Sequence, residues 1–71
     1  MALAFERLVG RIMVVFGSRK AFAAAMGLSQ LTLGRKLSGE NDWKSSEIIK
    51  ACSLLGIDLN DIGHYFFAAR V

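Results

Sequence analysis

The side chains best equipped to recognise another molecule stand together between Arg19 and Gly39. Gln30 can pair bidentately with adenine and Arg35 with guanine, and each good pair discriminates by about 1–3 kcal/mol. Both belong to the outer side of a short helical pattern whose Leu33 and Leu37 face inward. Leu31 and Gly34 share that outer side. Leu31 and Thr32 offer methyl groups to a thymine methyl. Gly34 either allows a base edge or backbone to come close or is simply tolerated, at about 1 kcal/mol relative to alanine. Arg19, Lys20, Lys36 and Lys44 carry charge suited to phosphate, with the hydroxyls of Ser29 and Thr32 beside them.

Charge is distributed to match. Residues 1–39 hold six basic residues against one acid, a balance of +5, while residues 40–71 hold three against five, a balance of −2. One sign gathered on the half that contains the recognition set is what a polyanion-binding face requires. Other chemistry is thin. His64 and Cys52 are the single histidine and cysteine of the chain, with no third soft ligand near them, so a metal site is not expected. No Ser-His-acid order and no glycine-rich phosphate loop can be drawn, and Asp58 and Asp61 read as helix-start residues. The expectation is a protein with no catalytic residues, no cofactor and no small-molecule ligand. A lone cysteine and the lack of a secretory pattern point to a reduced, cytoplasmic setting. No apolar run reaches the roughly 18 residues of a membrane span.

Positioning these residues requires short helices. Phe5, Leu8, Ile12 and Val15 or Phe16 recur at helical spacing and predict a first helix over 3–16, ended by Gly17. Val9, Met13 and Val14 widen its apolar surface beyond one core face. Ser18 can cap a second helix over 19–26, and Gly27 can end it. Ser29 can cap a third over about 30–38. Trp43 closes a polar loop by packing under the domain, with stacking on a nucleobase as the alternative. Ile48, Ala51, Cys52 and Leu55 form the stripe of a fourth helix over 45–55, and a fifth begins near 58–60 with Leu59 and Ile62 inward. Chain length allows one domain, residues 1–71.

Phe22-Ala23 in the second helix, Gly27 at the turn, Leu28-Ser29-Gln30 opening the third, Leu33 in its middle and Gly39 after it together resemble the helix-turn-helix of the phage repressor and Cro family. The run Gly56-Ile57-Asp58-Leu59-Asn60-Asp61-Ile62 resembles the last helix of small Cro-like proteins. The similarity extends from about Arg19 to Phe67. It departs at Arg19, where the family often has Gln, and at Gly34, where it often has Ser. The resemblance implies an all-α, five-helix, lambda-repressor-like DNA-binding domain with the helix-turn-helix at 19–39. It implies a transcriptional regulator, most simply a repressor, that binds double-stranded DNA sequence-specifically as a homodimer on an inverted repeat. Two recognition helices would then lie about 34 Å apart.

The end of the chain, Tyr65 to Val71, is unusually apolar for a terminus. Tyr65, Phe67 and Val71 are expected to form the subunit contact, the alternative being a tail folded back on the first helix. Two other functions compete with DNA reading. An antirepressor or antitoxin-like module would keep the fold and act through a protein partner. A membrane-surface peptide would need a basic amphipathic face, which Glu6 and two arginines make thin.

Overall fold

The computed structural model describes residues 5–67. Five helices follow one another: α1 (Glu6–Phe16), α2 (Arg19–Met26), α3 (Gln30–Leu37), α4 (Ser45–Leu55) and α5 (Ile62–Phe66), the last entered through a 3₁₀ turn at Leu59–Asp61. There is no strand among the described residues. The fold is all-α, as the periodicity predicts.

Local chemistry explains where the helices stop and start. Gly17 and Gly27 both adopt positive φ, 77° and 75°, which an L side chain avoids and glycine takes without strain. The Gly27 and Leu28 N–H groups donate back to Ala24 O and Ala23 O, closing α2 within one turn. Ser18 Oγ accepts from Ala21 N at 3.1 Å and Ser29 Oγ from Thr32 N at 3.1 Å, so each serine satisfies one of the amides that a helix start leaves unpaired. At α4 the N-cap is Lys44, not a serine. Glu47 reaches back to accept from the Lys44 N–H at 2.8 Å, where its charge also suits the helix dipole.

One core unites the elements. Phe22, Phe66, Leu8, Ile12, Leu33 and Leu55 are fully buried, with Ala23, Met26, Ile48, Ala51 and Cys52 around them. Ala23 lets α2 pack closely on its neighbours, and the whole stripe expected on α4 is buried. Trp43 packs under the domain as its position in the loop predicts. Its ring meets Phe66 edge-on at 5.2 Å and Phe5 at 6.5 Å between centroids. Arg11 Nε donates to Leu55 O at 2.8 Å, and Lys50 Nζ to Met26 O at 3.4 Å, so each cation meets the last carbonyls of a neighbouring helix.

Two expectations change. The first helix begins at Glu6 among the described residues, with Phe5 at its N-cap and buried. Leu59, expected inward, is 64% exposed. The reason is the entry to α5: Asp58 Oδ1 accepts from Asn60 N at 2.8 Å and tightens the chain into a 3₁₀ turn, which rotates Leu59 off the α-helical face. Ile57, in the link after α4, fills the core instead.

Candidate interaction face on the helix-turn-helix

Helices α2 and α3 pack against each other across the Gly27–Ser29 turn and leave one side of α3 in solvent. Gln30 and Arg35 are exposed there, and Leu31 is 63% exposed. Gly34 lies between them, half-buried, and apart from its chain neighbours and the backbone of its own helix no heavy atom stands within 4 Å of where its Cβ would be. Nothing inside the domain therefore requires glycine at this position. Arg19 and Lys20 are exposed at the start of α2. The structure thus brings Arg19, Lys20, Gln30, Leu31 and Arg35 to the surface.

Lys36 is a correction. Its charge predicts a phosphate contact, yet it is only 5% exposed. Its Nζ donates to Glu47 Oε1 at 2.8 Å and to Asp42 O at 2.9 Å, and lies 5.8 Å from the Trp43 ring centroid. Three positions after Leu33 and one before Leu37, it falls on the buried face of α3, and its methylene stem serves as core while its ammonium finds a carboxylate. That signal was present in the spacing. Burial pushes the Glu47 carboxyl up, but the Lys36 hydrogen bond, the Lys44 N–H and the charges of both lysines outweigh it and hold its pKa below the ordinary value. Burial alone pushes the Cys52 thiol up.

The remaining assigned side chains are more modestly placed. Ser29 Oγ donates to Thr32 Oγ1 at 2.9 Å while accepting from Thr32 N, so both hydroxyls are engaged in the cap. Lys44 is exposed. Arg35 Nε faces Glu40 Oε2 at 3.9 Å, with both side chains at least half exposed. Arg19 lines a cleft of about 290 Å³ whose other charge is Glu6 and whose walls are Phe5, Val9 and Leu37. Among the expected subunit-contact residues, Tyr65 packs partly buried against the core and Phe67 is 56% exposed; Val71 lies outside the described residues. Among the described residues no cluster of three His, Cys, Asp or Glu side chains is placed to hold a metal, and no helix is long and apolar enough to cross a membrane.

A family model described as "Protein of unknown function (DUF739)" matches residues 1–69, nearly the whole chain. The chain belongs to the DUF739 family. It is also similar to the modulator of repression (MOR) of the temperate bacteriophage TP901-1 from Lactococcus lactis, known from a solution structure. The two are 41% identical with a TM-score of 0.83, over 100% of this chain and 96% of that one. No curated protein matches. This DUF739 member is a phage-regulator-like protein. The likeness is to a modulator of repression and not specifically to the Cro family that the motif residues suggested.

Proposed function

We propose that this chain modulates a phage repression circuit by docking the outer face of α3 on a protein of that circuit, the repressor, rather than by reading an operator alone. The observation that carries this reading is the chemistry of the face. It presents an exposed Leu31, Gln30 and one cation, Arg35, that already faces a carboxylate, while Lys36 has been drawn into the domain. Duplex binding draws most of its strength from many neutralised phosphates, and a face with few available cations binds a duplex weakly. Protein interfaces, in contrast, draw strength from a few apolar and Arg anchors ringed by neutral contacts. The likeness to a protein described as a modulator of repression supports the same reading. In this reading the chain has no catalytic role and uses no cofactor.

A second reading has observations of its own. Exposed Arg19, Lys20 and Gln30 on a capped helix-turn-helix fit operator binding by a Cro-like regulator, and exposed Phe67 fits a homodimer contact. There Arg19, Lys20 and Lys44 would meet phosphates while Gln30 and Arg35 read bases.

Calorimetric titration separates the two. The protein is titrated into purified phage repressor and, in parallel, into duplexes carrying that phage's operators. The docking reading expects saturable binding to the repressor, weakened about tenfold or more by Leu31→Ala, roughly 1.4 kcal/mol or greater. Operator-selective binding with no heat from the repressor would move the function to the second reading.

A further inference from the structure

The segment that follows α3 is fixed against it from both ends. The backbone N–H groups of Glu40 and Asn41 both donate to Arg35 O, at 2.9 and 3.1 Å, and Gly39 turns the chain with φ 84°. At the far end Lys36 Nζ holds Asp42 O. The loop backbone therefore keeps a set position, and Glu40 Oε2 lies 3.9 Å from Arg35 Nε. Both Glu40 and Asp42 are exposed at the C-terminal end of α3. When a helix of this kind enters a major groove, its end and the following residues pass close to the phosphate backbone. A duplex would meet carboxylates there.

We infer that Glu40 is a selectivity residue: it neutralises Arg35 and sets a negative charge where phosphates would run, so that the α3 face admits a protein and turns away nucleic acid. This rests on the docking reading above and adds how the fold excludes the competing ligand. Two cations at the end of α3 are answered by two carboxylates, Lys36 by Glu47 of α4 and Arg35 by Glu40 of the loop between. Only the second pair stands in solvent, where a single substitution can undo it without opening the core.

The test is fluorescence anisotropy of a labelled random-sequence duplex at a series of salt concentrations. The variants are Glu40→Gln, Glu40→Lys and Asp61→Lys. The last adds the same charge as Glu40→Lys at an exposed site on the 3₁₀ turn, which packs with α5. Position 40 keeps its backbone bonds in either variant, and unchanged thermal midpoints establish that both fold. Glu40→Gln should tighten duplex binding a few-fold at low salt. Glu40→Lys should tighten it about tenfold or more and steepen the slope of log affinity against log salt by about one to two units, at roughly 0.9 per phosphate neutralised. Asp61→Lys should give a clearly smaller gain. An inert Glu40→Lys overturns the inference, as does an equal gain from Asp61→Lys, which would make net charge and not position the cause. Selective operator binding by the unaltered protein would defeat the docking reading instead, whatever Glu40 does.

Discussion

The two long faces of α3 are built from the same materials, leucine and a cation, and come to different ends. Leu33 is fully buried and Lys36 lies beside it, its ammonium 2.8 Å from Glu47. Leu31 is 63% exposed and Arg35 stands half in solvent, its partner Glu40 at 3.9 Å. The inner pair holds the domain together; the outer pair is free to meet something else. Residue type alone does not separate these roles. Register does, because positions 33, 36 and 37 share the stripe that packs on the core.

The largest test of this division is the leucine pair. Leu33→Ala should destabilise the domain by roughly 2–5 kcal/mol, from lost burial and the cavity left behind. Leu31→Ala should move stability by less than about 0.5 kcal/mol, since it removes an exposed side chain. Urea denaturation followed by circular dichroism measures both. Similar losses from the two variants would erase the distinction between the faces.

The cation pair comes next. Removing one partner of an enclosed ion pair costs about 3–5 kcal/mol, and Glu47 retains some access to water, so Lys36→Ala should cost about 2–3 kcal/mol. At 4–8 °C for each kcal/mol in a domain of this size, the melting temperature should fall by about 10 °C or more. Arg35→Ala should leave it within a few degrees, because exposed pairs contribute about 0–1 kcal/mol.

A third, smaller effect follows from pH. Glu47 has its pKa held below the ordinary 4.5 in the folded state, so the stability it contributes is complete above that value. It is lost as pH falls through the folded pKa. Urea midpoints measured from about pH 6 to pH 3 should therefore decline, and Lys36→Met should flatten that decline by removing the main partner. An unchanged pH profile in Lys36→Met would show that another carboxylate governs the acid limb. The smallest effect is the cap of α3. Ser29→Ala should cost about 1 kcal/mol by leaving the Thr32 N–H without its acceptor, and the fold should survive it.

Much of the architecture was legible because punctuation and periodicity agreed. Gly17 with Ser18, Gly27 with Ser29 and the Ile48–Leu55 stripe marked helices whose bounds the structure reproduces closely. What escaped depended on contacts distant in sequence. The charge of Lys36 suggests a surface position, although its spacing from Leu33 places it inward; Glu47, eleven positions on, and the Asp42 carbonyl make that burial tolerable. Glu47 sits where a helix-start carboxylate belongs, but its second bond, to Lys36, joins two helices eleven positions apart and is not visible from α4 alone. Leu59 leaves the inward face that periodicity predicts because the Asn60 N–H bond to Asp58 Oδ1 sets a 3₁₀ turn in place of α-helical geometry. Gln30, Leu31 and Arg35 are exposed, but exposure does not name a ligand. For Gln30, Leu31 and Arg35 the deciding quantity is the charge around them, and Glu40 enters only through the folded loop.

The measurement that bears most directly on the central claim is selection from a pool of random duplexes, with the bound fraction sequenced at two salt concentrations. If the outer face of α3 is a protein-docking surface, the recovered pool should hold no enriched inverted repeat, and binding should vanish as salt rises. Enrichment of an inverted repeat with half-sites about one helical turn apart, persisting at the higher salt, would contradict the account and make this chain an operator-reading regulator.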